Sequence, residues 1–399
     1  MTAMTLGARP IHRSGPTPEE VGRIDSVEPL DTVDTGTPVV CGEIPTIEDG
    51  RTPSRVLTVE PGEDIAAIAA TAEPGDSILL SAGTHDNAYV VDLHGTAEAP
   101  IWLGGEGAVF EGGWEGLHLV RARFVIVHDL QISGSEDNGL NADDGGDYDD
   151  EEASHHLLFR DLHFSDVGSG GNQDCLKLSG LRDYAVIDST FERCSSSGID
   201  HVGCHRGVIA RNHFEDNGGG VQSKGGSADI EIRQNTFVDS GDRALNLGGG
   251  TGKEYFRPPL SDTEDNVEAR DLEVYANHFV GSEAPIAYVG SVDCVVANNT
   301  LIEPGKWVFR ILQESVSDEE HDFANNLWYA QDDPGASEPE LPAEESGAVI
   351  GVDPELDGIA PTAESPALGA GTAARTDGDL EARCYLDPPA IGAMEWSGD

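Results

Sequence analysis

The sequence predicts an all-β protein built as a parallel β-helix, in which short strands stack coil upon coil. A first strand-like motif recurs along the chain, and its leading apolar residues stand at positions 117, 140, 176, 199, 221, 245, 286 and 309. A second motif runs in phase with it and carries Phe164, Phe191, Phe214, Phe237, Phe279 and Leu301. Glycine and asparagine between the motifs indicate tight turns, where positive φ is needed.

The spacing of the first motif supports coils of constant length. Neighbouring copies are separated by 23, 36, 23, 22, 24, 41 and 23 residues, so the two long steps predict insertions. Four copies of the second motif open with an asparagine: Asn212, Asn235, Asn277 and Asn299. One inward asparagine per coil would form a hydrogen-bonded ladder, and the aromatic rings would stack likewise. A leucine-rich repeat has a similar length, but its pattern is missing.

The domain organisation follows from these repeats. We expect an arm or extended lead-in over residues 1–52 and one solenoid domain over 53–399, with insertions at 141–156, 249–270 and 331–347, the last a solvated loop. Residues 63–85 predict a short helix, a turn and a strand that cap the open first coil, which would otherwise expose an unpaired strand edge. This stretch resembles the opening of pectate-lyase-like right-handed β-helix proteins, and residues 365–371 and 389–395 resemble their closing segments. The predicted fold class is therefore a right-handed parallel β-helix with an N-terminal capping helix.

The charge of the chain is strongly acidic. It has 74 acidic and 23 basic residues, a net charge of −51, and its four lysines are Lys177, Lys224, Lys253 and Lys306. Molar salt shortens the screening length to about 3 Å and relieves such self-repulsion, so this composition predicts a halophilic protein. The charge argues against nucleic acid and anionic membranes as partners. No apolar run reaches the ~18 residues that a membrane span needs, and we expect a monomer.

The N-terminal region and the cysteines give weaker signals. The first residues contain no apolar signal-peptide core, so we expect a cytoplasmic protein, or an extracellular one whose true start is missing. The six cysteines, at positions 41, 175, 194, 204, 294 and 384, show no CxxC spacing. We expect buried thiols rather than disulfides or a zinc site.

Alternation along the strands turns the residue after each leading apolar residue outward. Aligned coils then place a row of polar side chains on one face, with coils ~4.8 Å apart. We call this row the polar strip: Asn141, Asp143, Lys177, Asp200, Gln222, Lys224, Asn246 and Arg310. Asp174 and Arg243 lie just before two of its strands. Outward residues of any solenoid are polar, but two of the four lysines fall on this strip.

The first two insertions carry candidate binding groups. The first contains NADDGGDYDDEE, and its Asp143, Asp144, Asp147 and Asp149 could bind Ca²⁺, the one cofactor we expect. A plain solvated loop is the alternative. The second contains GGTGKEYFRPPL, and its Lys253, Tyr255, Phe256 and Arg257 could form a wall over the polar strip, since long loops on a rigid scaffold often carry binding groups.

The residue types of the strip suit a long acidic polysaccharide. β-Elimination from a uronate needs a group that neutralises the carboxylate, a base and a proton donor for the leaving oxygen. A neutral lysine can be the base, and Arg243 or Lys177 can supply the nearby cation. An inverting glycoside hydrolase would need paired carboxylates instead, for which Asp143, Asp174 and Asp200 are the candidates.

The stretch VQSKGGSADIEIRQNTF, residues 221–237, is similar to the lysine motif of the alginate lyase/chondroitinase-B family of polysaccharide lyases. The resemblance implies that Lys224 is the catalytic base. Two positions depart from the family. Its calcium-binding glutamates correspond here to Gly219 and Asn217, and its catalytic arginine corresponds to Leu247, with Arg243 as the nearest arginine.

We therefore expect a uronate polysaccharide lyase that binds an acidic polysaccharide or oligosaccharide. Its catalytic residues would be Lys224, Arg243 and Lys177. The expected substrate-binding residues are Asn141, Asp174, Asp200, Gln222, Asn246, Tyr255, Arg257 and Arg310. Two alternatives stay open: a non-catalytic carbohydrate-binding or surface module, and the inverting hydrolase.

Overall fold

A computed structural model describes residues 41–261, 266–312, 319–329, 335–338, 349–350, 352–372 and 378–397. The predicted arm over residues 1–52 lies outside this range up to residue 40. The described chain is an all-β parallel solenoid. Its helical content is one α-helix of five residues, Ile65–Ala69, and one 3₁₀ turn, Lys253–Tyr255. The helix lies in the predicted capping segment, but its capping role stays a prediction. No helix of the described residues has the length and apolarity to cross a membrane.

A parallel sheet of ten strands carries the first sequence motif. Its strands, in chain order, are Ala88–Val91, Leu117–Val120, Leu140–Asp143, Leu176–Ser179, Ser197–Val202, Gly219–Lys224, Leu245–Gly248, Ile286–Val289, Trp307–Leu312 and Gly335–Glu338. The last strand falls within the predicted loop 331–347 and pairs with Trp307–Leu312. That stretch therefore adds a strand to the sheet, and its other residues lie outside the described range.

The second sequence motif lies in a sheet of nineteen strands that forms the remaining sides of the coils. These strands are Arg55–Val59, Asp76–Leu80, Gly83–His85, Ile101–Glu111, Arg123–Ser133, His155–Ser165, Arg182–Ile187, Thr190–Glu192, His205–Ala210, His213–Glu215, Ser227–Arg233, Thr236–Val238, Ala269–Tyr275, His278–Val280, Ser291–Ala297, Thr300–Ile302, Glu319–Ala324, Leu327–Tyr329 and Val349–Ile350. A small antiparallel pair, Leu356–Asp357 with Ala360–Pro361, follows near the end of the chain.

The predicted repeat register is confirmed. Leu117, Leu140, Leu176, Ile199 and Val221 pair in succession, and the series continues through residues 245, 286 and 309. These leading residues are buried between the sheets. Because side chains alternate along each strand, the residue after each of them faces away from the core.

Two ladders run through the interior, as the second motif predicts. The rings of Phe164, Phe191, Phe214, Phe237 and Phe279 stack with centroids 4.6–5.0 Å apart. The asparagine side chains of Asn212, Asn235, Asn277, Asn299 and Asn326 bond one another at 3.0–3.1 Å. Each backbone N–H from Asn212 to Asn299 also donates to the Oδ1 of the asparagine one coil later. The buried polar groups at this corner of each coil therefore have hydrogen-bond partners.

Residues 41–52 lie against the nineteen-stranded sheet. Glu48 accepts from Arg160 at 2.6 and 2.8 Å, and Ile44 and Ile47 pack over an outer apolar cluster that includes Trp102. The described part of the predicted lead-in is therefore attached along the solenoid through these contacts.

The expectation that all cysteines are thiols is wrong. Cys41 is bonded to Cys384 and Cys175 to Cys194, while Cys204 and Cys294 are free and buried. The coil geometry accounts for the second disulfide, since the backbone N–H of Cys175 donates to Ser197, the residue that begins the next coil's strand. Coil closure, rather than CxxC spacing, brings these cysteines together.

The two described insertions begin where strands of the ten-stranded sheet end. The first spans 144–154, because residues 141–143 and 155–156 of the predicted insertion lie in strands. The second occupies the segment between Gly248 and Ala269, in which residues 262–265 are not described. Both insertions therefore rise beside the face that carries the polar strip.

Candidate functional site

The structure brings most of the polar strip together. Lys177 pairs in register with Asn141 on one side and Asp200 on the other, and Gln222 and Asn246 follow on the next two coils. The strip continues from Ala287 to Arg310, whose guanidinium lies 4.3 Å from the ring centroid of Trp307. Arg310 is therefore two coils beyond Asn246 and separated from Lys177 and Lys224. Arg243 is half-buried, two residues before the strand of Asn246.

The centre of the strip is a chain of ion pairs. Lys177 Nζ contacts the carboxylates of Asp174, at 3.1 Å, and Asp200. Asp200 also lies 3.1 Å from Lys224 Nζ. Asp174 and Asp200 are fully buried, and Lys224 is 8% exposed. Two lysines and two aspartates thus neutralise one another on this face of the sheet, with both carboxylates buried.

Burial and charge act on these groups in opposite senses. Burial lowers the pKa of Lys177, but Asp200 and Asp174 raise it by more, so the ammonium stays protonated. Burial raises the pKa of Asp174, and Asp200 raises it further, while Lys177 and the Ser197 N–H act to lower it. Asp174 Oδ1 accepts that N–H at 2.9 Å, which fixes the carboxylate at the start of the coil.

Lys224 lies beneath the second insertion. A Cβ added at Gly249 would come within 3.0 Å of Lys224 Cβ and Cδ, so the chain runs in close contact with this side chain. Glu268 holds the insertion in place, because its carboxylate accepts from the N–H groups of Gly225 and Thr251, each at 2.9 Å. The predicted catalytic lysine is therefore covered by backbone and paired with a carboxylate.

An open groove lies over the N-terminal half of the strip. It has a volume of about 550 Å³ and runs across four coils, from Tyr89 to Ser179. Its polar and aromatic lining includes Tyr89, Asn138, Asn141, Asp143, Tyr148 and Lys177. Tyr89 is 58% exposed and pairs in register with His118, which pairs with Asn141, so Tyr89 lies two coils before the start of the strip. The groove therefore joins an aromatic platform to amides and to one lysine.

His118 is held between two carboxylates at the edge of this groove. Its Nδ1 lies 2.9 Å from Glu115 Oε2, and its Nε2 lies 2.7 Å from Asp143 Oδ2. Burial lowers the pKa of His118, but hydrogen bonds to Asp143 and Glu115 outweigh it and raise the pKa to about 9. The imidazolium packs edge-on to Tyr89, with ring centroids 4.7 Å apart.

Arg257 joins the two insertions. Its Nε and Nη2 donate to Asp144 at 2.6 and 3.2 Å, and its guanidinium lies 4.0 Å from the ring centroid of Tyr148. The side chain is 6% exposed, and its Nη1 donates to the carbonyl of Tyr255. The predicted substrate ligand Arg257 is therefore held in a buried ion pair, while Tyr255 is 51% exposed.

Glycines at the strand ends make room for this ion pair. A Cβ added at Gly203 would overlap the Arg257 side chain, and one at Gly180 would overlap the Asp144 carboxylate. A Cβ at Gly226 would overlap the Arg257 carbonyl. The glycines at the ends of these strands thus leave room for the second insertion of the protein itself.

A calcium site of the lyase-family type does not fit these residues. Gly219 has no side chain, and both polar atoms of Asn217 bond the backbone of the previous coil, at Cys194 N and Phe191 O. Among the described residues, no group of three or more His, Cys, Asp or Glu is placed to hold a metal ion. In the first insertion, Asp143 bonds His118 and Asp144 bonds Arg257. The predicted site at Asp143, Asp144 and Asp147 stays a prediction.

Comparisons with known proteins identify the fold. Residues 115–257 match the family model described as right handed beta helix region. Pectate lyase Pel9A superposes with a TM-score of 0.55 and 14% identity, over 87% of this chain and 98% of that one. The fold is a right-handed β-helix.

Two further solved structures are similar over much of the chain. An alginate lyase from Paenibacillus sp. str. FPU-7 matches with 14% identity and a TM-score of 0.48, over 73% of this chain and 97% of that one. A GH136 lacto-N-biosidase from Eubacterium ramulus matches with 13% identity and a TM-score of 0.47, over 74% and 67%. No curated protein matches this chain in sequence.

Sequence reasoning missed several residues of the groove. Tyr89 lies on a strand that precedes the first recognised copy of the motif, and Asn138 lies in the segment between two strands. Tyr148 lies in an acidic stretch in which only the carboxylates were predicted to be ligands. In the structure AYVV alternates buried and exposed residues, but its four apolar and aromatic residues give no such alternation in the sequence.

Proposed function

We propose that this β-helix protein binds a polysaccharide in the groove over the N-terminal half of the polar strip. One observation carries the proposal: the groove combines an exposed tyrosine, two amides, a carboxylate and a lysine along four coils. Aromatic faces stack on sugar rings, and amides and carboxylates bond hydroxyl groups. Lys177 adds a donor, because its ammonium has three N–H groups and two carboxylate partners.

β-Elimination from a uronate is the reaction that the lysine motif around Lys224 implies. In this reaction Lys224 would be the base, and Lys177 or Arg243 would neutralise the substrate carboxylate. Lys224 would have to lose its contact with Asp200 and the cover of Gly249 before it could reach a sugar. The reaction therefore requires a rearrangement of the second insertion.

Hydrolysis requires carboxylates that reach the sugar. Of the three candidates Asp143, Asp174 and Asp200, only Asp143 lines the groove, and the other two are fully buried. The geometry therefore supports glycan binding more directly than it supports cleavage by this set of carboxylates.

The proposal is tested by incubating the protein in molar salt with a panel of acidic and neutral polysaccharides. Binding is measured by retention, unsaturated ends by ultraviolet absorbance and new reducing ends by a colour assay. Unsaturated ends identify a lyase, reducing ends alone identify a hydrolase, and retention without product identifies a binding module. If no glycan is retained or cleaved, the proposal is wrong.

A further inference from the structure

The charges that border the groove restrict the sugar that it can take. Four cations lie there, and each contacts at least one carboxylate. Lys177 contacts Asp174 and Asp200, and His118 contacts Glu115 and Asp143. The other two are Arg121, bonded to Asp92 at 2.7 Å, and Arg257, bonded to Asp144. Six carboxylates thus surround four cations, and Asp200 is also shared with Lys224.

The pKa of a seventh carboxyl group responds to this excess of negative charge. Asp137 is half-buried beside the groove-lining Asn138. Burial raises its pKa, and the charges of Glu115 and Asp174 raise it further, more than Lys177 lowers it. The local potential therefore disfavours a further negative charge, which agrees with the ion-pair geometry.

The groove-lining residue Asn141 also has a buried hydrogen-bond acceptor, its Oδ1, without a partner among the described residues. The orientation of this amide is fixed, because its Nδ2 lies 3.4 Å from Glu115 Oε1, which can only accept. A buried acceptor without a donor is costly, and a ligand hydroxyl or amine would satisfy it.

We infer that the groove takes a sugar without a carboxylate, either uncharged or amine-bearing, an inference that rests on the proposed glycan binding. A uronate would have to share one of the bordering cations with the carboxylates that already contact it, which leaves negative charge uncompensated. Hydroxyl and ammonium donors meet Asn141 Oδ1 and the surrounding carboxylates without that cost.

The test compares matched oligosaccharides by titration calorimetry in about 1 M salt. One pair is a uronate oligomer and its carboxyl-reduced form, with the same linkage and length. The second pair is an N-acetylglucosamine oligomer and its deacetylated, amine-bearing form. We expect the carboxyl-reduced form to bind at least about tenfold more tightly than the uronate.

Charge variants test whether the carboxylates bordering the groove cause the weaker binding of the uronate. Asp143→Asn and Glu115→Gln each remove a carboxylate beside His118 and should raise uronate affinity about threefold. The matched control Asp166→Asn removes an exposed carboxylate that is paired with Arg193 and should leave it unchanged. Equal or tighter binding of the uronate by the wild-type protein overturns the inference alone. If neither member of either pair binds, the proposed function falls with it.

Discussion

Arg257 Nε lies 2.6 Å from Asp144 Oδ2, although 113 residues separate the two in sequence. The side chain of Arg257 runs past the glycine turns of the intervening coils and ends under Tyr148. This contact joins the two described insertions and forms one border of the groove. Arg257, which the sequence predicts to be a sugar ligand, thus links the two insertions in the structure.

Breaking this ion pair should destabilise the protein strongly. Arg257→Ala leaves Asp144, which is 2% exposed, without its charged partner, and we expect a loss of about 3–5 kcal/mol in the free energy of unfolding. Denaturant unfolding in molar salt measures it. The control is Arg193→Ala, whose pair with Asp166 is exposed and should contribute little to stability. Similar losses for the two variants would contradict the structural role of Arg257.

The glycine at position 203 should be intolerant of a side chain. Gly203 has φ +62°, and an added Cβ would overlap Arg257. Gly203→Ala should cost about 1–3 kcal/mol from overpacking, beyond the backbone strain. Gly50→Ala is the control, because Gly50 has φ +70° but no atom within 4 Å of an added Cβ. Equal destabilisation of the two variants would show that Arg257 does not occupy this space.

The pKa of His118 predicts a loss of stability at alkaline pH. In the unfolded chain its pKa is about 6.5, and in the fold it is about 9. The stabilisation is therefore complete below pH ~6.5 and is lost as the pH rises to about 9. We expect a fall of up to about 2 kcal/mol, since solvent screens this partly exposed cluster. Denaturant unfolding at several pH values measures it.

Two variants isolate this effect. His118→Gln should flatten the fall between these pH values, because the group that binds the proton is gone. His163→Gln changes an exposed histidine and should keep the wild-type profile. A fall of the same size in His118→Gln would assign the pH dependence to other groups.

The two lysines of the strip should differ in their effect on glycan binding. Only Lys177 lines the groove, whereas Lys224 lies under Gly249, and both contact Asp200. Lys177→Met should weaken binding about tenfold or more, and Lys224→Met should leave it within about threefold. Calorimetry on folded variants measures both affinities. A larger loss for Lys224→Met would favour the lyase assignment of this residue and contradict the groove.

Salt should stabilise the fold. The net charge of −51 repels itself at low ionic strength, and salt screens the repulsion. We expect the thermal midpoint to rise from about 0.1 M to about 2 M sodium chloride. A midpoint that stays constant or falls over this range would contradict the halophilic interpretation.

The register of the solenoid was predictable because each coil repeats the same inward apolar positions. Once Leu176, Ile199 and Val221 align, the outward neighbours Lys177, Asp200 and Gln222 must lie side by side. The sequence could not show which of them remain accessible. The second insertion determines which of these side chains remain accessible. Its path over Lys224 depends on the contact between Arg257 and Asp144, which is not part of the sequence repeat.

The disulfides and the groove residue Tyr89 could not be predicted from the sequence for a related reason. Cys175 and Cys194 meet because a coil closes on itself, which spacing rules for local motifs do not detect. Tyr89 lies on a strand before the clear repeats begin, yet it pairs in register with His118. Irregular first coils therefore give less sequence signal for groove-lining residues than the later, regular coils do.

The affinity of a bound glycan for Tyr89→Ala, compared with Tyr255→Ala, tests the location of the site most directly. Both tyrosines are exposed, at 58% and 51%, but only Tyr89 lines the groove. Loss of the aromatic platform should weaken binding about tenfold in Tyr89→Ala, and Tyr255→Ala should bind like the wild type. Wild-type affinity in Tyr89→Ala, with a loss in Tyr255→Ala, would contradict the groove as the glycan site.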